Sequence, residues 1–219
     1  MKLTLFDLDN TLLTGDSDVL WCEFLLATGQ LDRAAFAARN ADMEARYKAG
    51  TVGVEEFANF YVSTLAGRTA QELEPLRQEF LATQVVPRIP KSSMDLVDRH
   101  LQAGDLVVMT TATNRFITEL TAIYFDIEHL IAIETEVVDG RFSGRTLGTL
   151  NMRSGKVDRL HQWLAARGHA LDEFTSTAYS DSINDLPLLK AVNHAFAVDP
   201  DPQLAAEAAR RGWATVSLR

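Results

Sequence analysis

The sequence predicts an α/β fold in which a mostly parallel sheet carries helices on both faces and a small helical bundle follows the first strand. From about residue 85 onward, short apolar runs alternate with helical segments, a pattern typical of such a sheet. The run over 106–110 has no polar face, as expected of a strand buried on both sides. Residues 16–83 show helical apolar spacing and no strong strand signal, which indicates the inserted bundle.

The first strand covers the apolar residues from Leu3 to Phe6. The inserted segment divides into four predicted helices, over residues 17–28, 32–49, 54–66 and 69–83. The breaks between them coincide with three glycines, Gly29, Gly50 and Gly67. Asp32 is placed to cap the second helix, and the Thr69 to Glu72 segment has the pattern of a capping box.

The remaining chain continues the alternation. The predicted helices are 91–103, 115–124, 155–167, 185–191 and 202–211, and the predicted strands are 106–110, 130–133, 175–179, 194–198 and 214–216. Residues 134–150 are predicted to form a hairpin with Asp139-Gly140 at its turn. We therefore expect a three-layer, Rossmann-like core over 1–15 and 84–219, with a helical cap domain over 16–83.

The composition narrows the classes of partner. A chain of 219 residues has room for one core domain with a small insert. Its net charge of −9 argues against nucleic-acid binding, which relies on neutralising phosphates with basic residues. An acidic protein that binds an anionic substrate needs a local positive group, either a metal ion or a placed lysine. The sequence gives no indication of the oligomeric state.

The sequence also bears on location. Cys22 is the only cysteine, so no intrachain disulfide can form, which fits a reducing compartment. Met1-Lys2 runs directly into the first strand and leaves no room for a signal peptide. No apolar run approaches the roughly 20 residues of a membrane span. We expect a cytoplasmic protein that does not act on membranes.

Two carboxylates, Asp7 and Asp9, follow the first strand. Continued extension would put both on one side of the chain, where they repel each other unless a cation lies between them. Mg²⁺ is the usual cation for oxygen ligands, and an aspartate at such a site can attack phosphorus. We assign Asp7 as nucleophile and metal ligand, and Asp9 as general acid and base that contacts the metal through its backbone carbonyl. The alternative is a solvated turn without catalytic function.

The strand after residue 106 ends in small hydroxyl residues that precede a helix. The Thr111 hydroxyl and the Ala112 backbone are therefore candidates for binding a phosphate group. The alternative is that Thr113 or Asn114 only caps the helix.

Lys156 follows Gly155 in the first turn of a predicted helix, where the helix dipole disfavours a cation. It is either solvated or placed to screen a nucleophile from a phosphate dianion. Asp181 ends a strand, and Asp185 lies four residues further on. Both are candidate Mg²⁺ ligands, and Asn184 is a candidate to orient Lys156 or a phosphate oxygen. The alternative is a turn with a helix cap.

Asp7, Thr111 and Asp181 each follow a predicted strand, and ligands of such sheets bind at the carboxyl ends of the strands. The motifs DLDNT and SDSINDLPLL, with Lys156 25 residues before Asp181, resemble the haloacid dehalogenase superfamily of phosphohydrolases. The helical insert and the DG…FSG hairpin resemble its phosphoserine-phosphatase-like members. The resemblance implies an aspartyl-phosphate on Asp7, with Mg²⁺ held by Asp7, the Asp9 carbonyl and Asp181. Dehalogenase members lack the second aspartate, so phosphate transfer is favoured.

The chain departs from the phosphoserine phosphatases it resembles. Asp16 stands where they place a glutamate for the substrate amine, and residues 57–60 lack the arginine that holds the substrate carboxylate. We therefore expect a phosphomonoester with an amine but no carboxylate, such as histidinol phosphate. Arg39, Arg46 or Arg115 remain alternative carboxylate partners.

Two further features stay open. Ser180 stands where the family usually has glycine before the metal-binding aspartate, a change small enough to be tolerated. Four aromatic residues of the insert either line the substrate pocket or form the core of the bundle: Trp21, Phe24, Tyr47 and Tyr61.

The sequence thus favours a Mg²⁺-dependent hydrolase of small phosphomonoesters. A phosphotransferase or mutase of the same family is the first alternative, because a substrate hydroxyl can replace water as the acceptor. A non-catalytic phosphate-binding module is the second alternative.

Overall fold

The computed structural model describes residues 1–48 and 51–219, without the side chains of Glu44, Tyr47 and Lys48. Its seven strands form one sheet in the order β4-β3-β2-β1-β5-β6-β7. The strands are β1 (Lys2–Phe6), β2 (Leu106–Asn114), β3 (His129–Val138), β4 (Arg141–Leu147), β5 (Thr175–Ser180), β6 (His194–Val198) and β7 (Ala214–Val216). All neighbours pair parallel except β3 and β4, which form an antiparallel hairpin.

Nine α-helices are found in the described ranges, and five of them lie between β1 and β2: the four of the insertion and one that follows it, as predicted. They are α1 (Ser17–Ala27), α2 (Arg33–Lys48), α3 (Val54–Val62), α4 (Ala70–Phe80), α5 (Lys91–Gln102), α6 (Arg115–Tyr124), α7 (Ser154–Ala165), α8 (Leu186–Ala191) and α9 (Pro202–Arg211). The predicted α/β fold with a helical insertion, here α1 to α4, is confirmed. The domain boundaries at 15/16 and 83/84 stay a prediction.

The sheet has apolar side chains on both faces, because β1 lies at its centre. Leu3 and Leu5 pack into a cluster with α7, α8 and α9. Phe6 points to the other face and joins a larger cluster that also contains Trp21 and Phe24 of α1. Trp21 and Phe24 are therefore core residues, packed against Phe80 at the end of α4. A central strand covered on both faces fixes the position of the residues that follow it.

Local signals placed most helix ends correctly. The Asp32 side chain accepts a hydrogen bond from the backbone N–H of Ala35, and Thr69 with Glu72 forms the predicted capping box. The predicted helix 54–66 was too long, because α3 ends at Val62 and a 3-10 turn follows it. The predicted end of the second helix at 49 and the break at Gly50 lie outside the described residues.

The largest errors concern β2 and β3. The predicted strand 106–110 continues to Asn114, with a shift of register against β3 between Thr110 and Asn114. Thr111 therefore lies inside the strand and not at its end. The predicted strand 130–133 extends over His129–Val138 and forms the first arm of the expected hairpin. These extensions depend on pairing with distant segments, which local apolar patterns do not report.

The β3–β4 hairpin is joined to the helical insertion. The N–H of Gly67 donates to the carbonyl of Phe142 at 2.8 Å, and the N–H of Phe142 donates to the carbonyl of Arg68 at 2.9 Å. Gly144 packs so closely against the insertion that a Cβ atom on it would lie 2.9 Å from the Cβ of Ala66. The hairpin thereby holds the insertion beside the carboxyl ends of the central strands.

We expect Gly144→Ala to lower the free energy of unfolding by about 2–4 kcal/mol, since strain at positive φ adds to a steric clash. Gly148→Ala is the matched control. Gly148 also has a positive φ, of 71°, but a Cβ there would meet nothing within 4 Å. Urea denaturation should show a smaller loss for the control by at least about 1 kcal/mol. Equal losses would show that the contact with Ala66 is unimportant.

Candidate active site

The candidate site lies where β1, β2 and β5 end side by side. Asp7 follows β1 directly, and its N–H donates to the carbonyl of Tyr179 in β5 at 3.0 Å. The Asp7 side chain is buried at the floor of the cavity described below. Parallel pairing of β1 with both neighbours brings the segments after the three strands together. The expected convergence of Asp7, Thr111 and Asp181 is therefore present, although Thr111 lies within its strand.

Lys156 is the central cation of the site. Its Nζ lies 2.7 Å from Asp7 Oδ1 and 2.6 Å from Asp185 Oδ2, with 3% of its side chain exposed. Burial lowers the pKa of Lys156, but the charges of Asp185 and Asp7 outweigh burial and raise the pKa above its ordinary value. Lys156 is therefore charged throughout the neutral range and is not a solvated surface lysine.

Glycine before Lys156 has a steric reason. A Cβ atom on Gly155 would overlap the carbonyl oxygen of Leu150. Only glycine lets the chain pass this close at the second residue of α7, and Lys156 follows it in the first turn and reaches Asp7.

Asp185 orients Lys156, a role that the sequence had suggested for Asn184. The Ser180 hydroxyl donates to the same Asp185 Oδ2 at 2.8 Å, so this oxygen receives two donors. Asn184 is exposed and lines the cavity described below, and its side chain makes no hydrogen bond to Lys156 in the part of the chain that the structure describes. The assignment of Asp185 as a metal ligand stays a prediction. Ser180, treated as a neutral replacement of glycine, supplies a hydroxyl to this arrangement.

Asp7 and Asp181 are linked by Thr11, which the sequence analysis did not single out. The Thr11 hydroxyl lies 3.0 Å from Asp7 Oδ2 and 3.1 Å from Asp181 Oδ1. Burial, followed by repulsion from Asp7, raises the pKa of Asp181 to about 8. Burial also raises the pKa of Asp7 to about 7, because it outweighs the attraction of Lys156. Two carboxylates this close favour either a proton or a cation between them.

The donor set fits Mg²⁺. Asp7 and Asp181 offer carboxylate oxygens around one hydroxyl, and Mg²⁺ prefers a few carboxylates completed by water. Within the described residues, no group of three or more His, Cys, Asp or Glu side chains is arranged to hold a metal ion. A magnesium ion here would therefore depend on backbone carbonyl and water ligands as well.

Asp9 is held by a separate set of donors. Its carboxylate accepts hydrogen bonds from the Ser17 N–H at 2.7 Å, the Thr113 hydroxyl at 2.9 Å and the Thr111 hydroxyl at 3.2 Å. Burial is the main cause that raises the pKa of Asp9 to about 6. The predicted phosphate ligand Thr111 is thus buried behind Asp9, whereas Ala112 and Thr113 line the cavity. Phosphate binding by Thr111 and Ala112 stays a prediction.

A cavity of about 270 Å³ opens above these residues, between the strand ends and the helical insertion. Its acidic lining consists of Asp7, Asp9, Asp16, Asp18, Asp181 and Asp185. On the side of the insertion, Phe57, Ala58 and Tyr61 form its wall. Of the two alternatives for the aromatic residues, pocket lining or bundle core, Tyr61 follows the first. The Tyr47 side chain lies outside the described part of the structure. Asp18 was not identified from the sequence.

The arginines considered as carboxylate partners contact other groups. Arg39 donates to the Ser63 hydroxyl, Arg46 pairs with Glu56, and Arg115 pairs with Glu134; none of the three is among the cavity-lining residues. Arg153 was not identified from the sequence. It directly precedes α7, lines the cavity and has a positive φ of 52°. A positive φ outside glycine has little sequence signal, so this placement was not predictable from local patterns.

With divalent cations chelated, we expect the free energy of unfolding to fall by at least about 1 kcal/mol as the pH rises from 5 to 8. The pKa of Asp7 is about 7 and that of Asp181 is about 8 in the folded protein, against 3.8 ordinarily. The folded state therefore binds more protons than the unfolded chain in this window, and deprotonation costs it stability. Urea denaturation at both pH values measures the change.

Asp181→Asn is the control for this measurement. The variant removes one of the raised pKa values and one repulsive charge, so its stability should depend less on pH. Wild-type stability that rises toward pH 8 would contradict the assignment of buried, mutually repelling carboxylates.

No helix of the described residues is long and apolar enough to cross a membrane.

Comparison with known proteins places these features in a family. The family model described as haloacid dehalogenase-like hydrolase matches residues 4–190. A histidinol-phosphatase of Neisseria meningitidis serogroup C is 38% identical over 220 residues, covering 100% of this chain and 99% of the relative. A phosphoserine phosphatase of Mycobacterium tuberculosis is 31% identical over 211 residues, covering 95% of this chain and 68% of the relative.

Solved structures agree with this placement. A Bordetella pertussis Tohama I protein of unknown function has 44% sequence identity and a TM-score of 0.95, with 100% of this chain and 99% of that chain covered. A substrate-bound phosphoserine phosphatase, with 16% identity and a TM-score of 0.67, covers 99% of this chain and 92% of that chain, and shows the shared fold. The chain therefore belongs to the haloacid dehalogenase-like hydrolases, among their phosphoserine-phosphatase-like members.

Proposed function

We propose that this chain, a phosphatase of the haloacid dehalogenase-like family, hydrolyses a small phosphomonoester that carries an amine and no carboxylate, through a phosphorylated Asp7. The observation that carries the proposal is the buried Lys156 paired with Asp7 and Asp185, beside an Asp9 held by its own hydrogen bonds. Two carboxylates in different environments can take different roles, one as nucleophile and one as proton donor.

Asp7 is the proposed nucleophile. Its carboxylate is fixed by Lys156 on one oxygen and by Thr11 on the other, so it is oriented before the substrate arrives. Attack of a carboxylate oxygen on phosphorus forms the aspartyl-phosphate and breaks the bond to the substrate oxygen. The charge of Lys156 offsets the repulsion between this carboxylate and the dianionic phosphate.

Asp9 is the proposed general acid and base. Its pKa of about 6 lets it carry a proton in a fraction of molecules near neutral pH. In the first step Asp9 gives this proton to the leaving alkoxide. In the second step it takes a proton from water, which attacks the aspartyl-phosphate, releases phosphate and restores Asp7. The bonds from Ser17 and Thr113 keep the Asp9 side chain in one place for both transfers.

Mg²⁺ is the proposed cofactor, held by Asp7, Asp181 and the backbone carbonyl of Asp9. When bound, it would neutralise negative charge on the phosphate and on the carboxylates. Oxygen ligands and the raised pKa values of Asp7 and Asp181 support a cation at this position.

The substrate proposal rests on the residues that the helical insertion and the N-cap of α1 contribute to the cavity lining. Asp16 lines the cavity and is available to pair with an amine, although one of its oxygens also caps α1 through the N–H of Val19. Residues 57–60, which contain no arginine to pair with a substrate carboxylate, contribute Phe57 and Ala58 to the wall of the cavity. The relative named histidinol-phosphatase, which covers the full chain, supports histidinol phosphate as the first substrate to test.

Phosphoserine is the second candidate, and Arg153 favours it. This guanidinium lies at the same cavity and is the one described arginine in its lining, so it is placed to pair with a substrate carboxylate. Turnover of phosphoserine that depends on Arg153 would support this candidate.

We expect Mg²⁺-dependent phosphate release from histidinol phosphate with a kcat/KM at least about 10-fold above that for phosphoserine, because only phosphoserine carries a carboxylate into an acidic pocket. Phosphate release from a panel of histidinol phosphate, phosphoserine, sugar phosphates and p-nitrophenyl phosphate measures the ranking. EDTA should abolish release, and added Mg²⁺ should restore it.

Asp7→Asn should lower kcat by at least about 1,000-fold while the protein stays folded, since the amide cannot form the intermediate. Asp98→Asn, which changes an exposed aspartate on α5, is the matched control.

In the substrate panel, a preference for phosphoserine would overturn the substrate proposal. Absence of release from every compound, with a folded protein, would favour transfer to another acceptor or a binding function.

A further inference from the structure

Asp18 has no explained role in the fold. It lies in the first turn of α1 and lines the cavity. Its Oδ1 atom is buried and has no hydrogen-bond partner in the described part of the chain. Helix capping does not account for it, because Asp16 already caps α1. A buried carboxylate oxygen without a partner is costly, so its presence at a cavity indicates a ligand.

The surroundings of Asp18 are acidic. Burial is the largest cause that raises its pKa well above the ordinary value, and the charges of Asp16 and Asp9 add to it. The nearby Thr113 hydroxyl partly offsets this increase in the pKa. Lys156, the buried cation of the cavity, is already paired with two other carboxylates. The cavity lining has six aspartates against two cationic residues, Lys156 and Arg153, so it carries excess negative charge that a cationic group of a ligand would relieve.

An aromatic wall lines the same cavity. Tyr61 lines the cavity together with Asp16 and Asp18. Burial and the charges of these two carboxylates raise the pKa of Tyr61. The Tyr61 and Phe57 rings lie edge to face with centroids 5.4 Å apart. Flat cationic groups pack well against aromatic rings when carboxylates are close. The carboxylates and the rings together form a surface suited to a nitrogen heterocycle.

We propose that Asp18 is a specificity-determining residue that binds a second basic nitrogen of the substrate, one in a flat ring, while Asp16 binds the aliphatic amine. The substrate class is then a phosphomonoester with two basic nitrogens. This inference rests on the proposed phosphatase function and narrows its substrate. It concerns the leaving group and not the phosphate, which the proposed function places beside Lys156.

The first test needs no variant. Histidinol phosphate and phenylalaninol phosphate share the amine and the phosphate, but only the first carries a basic nitrogen in its ring. Wild-type protein should show a kcat/KM at least about 10-fold higher for histidinol phosphate, mainly through a lower KM. Equal kcat/KM values for the two compounds would overturn the proposal, whether or not any variant folds.

The second test assigns the preference to Asp18. Asp18→Asn should lower the ratio of kcat/KM for histidinol phosphate over phenylalaninol phosphate at least about fivefold, and Asp18→Glu should restore part of it. Glu23→Gln is the matched control, because it removes one negative charge from α1 at an exposed side chain that does not line this cavity. An unchanged ratio in Asp18→Asn would overturn the assignment.

The proposed phosphatase function and the proposed role of Asp18 can be tested separately. If p-nitrophenyl phosphate and the other esters all release no phosphate with Mg²⁺, the proposed function fails and this inference fails with it. If phosphate is released but the ratio does not depend on Asp18, the inference alone fails.

Discussion

The buried contact of Lys156 with Asp7 and Asp185 is the interaction on which the rest of the site depends. Without this cation, Asp7 would face Asp181 and Asp185 at short range in a poorly solvated region, and charging all of them would be unfavourable. With it, Lys156 orients the Asp7 carboxylate and forms an ion pair with Asp185. The Thr11 hydroxyl lies between Asp7 and Asp181. The same charge that permits burial of Asp7, the proposed nucleophile, would also attract the anionic ester of the proposed reaction.

The fold supplies this contact from segments far apart in sequence. A central β1 places Asp7 between the ends of β2 and β5, and Gly155 allows α7 to start close enough for its lysine to reach. The β3–β4 hairpin then holds the helical insertion above the strand ends, so that Asp16, the N-cap of α1, and Asp18 in its first turn line the cavity. In the proposed reaction, residues at the strand ends act on the phosphate, and residues of the insertion select the leaving group.

Much of this arrangement could be predicted because the signals are local. Asp7 and Asp9 follow an apolar strand, Asp181 follows the end of another predicted strand, and glycines and caps marked most helix ends. What escaped prediction depends on distant contacts: Thr111 was placed at a strand end, but bonding to Asp9 puts it behind that carboxylate. Likewise, Asp185 rather than Asn184 holds the lysine, and the cavity roles of Asp18 and Arg153 arise only from packing around them.

The central claim is that Asp7 becomes phosphorylated during turnover. Acid quenching of a single turnover with histidinol phosphate and Mg²⁺, followed by borohydride reduction and mass spectrometry of the amino-terminal peptide, tests it directly. The account predicts conversion of Asp7 to homoserine, absent without substrate. Reduction at Asp9 or Asp181 in place of Asp7, or substrate turnover that leaves Asp7 unmodified throughout the time course, would contradict it.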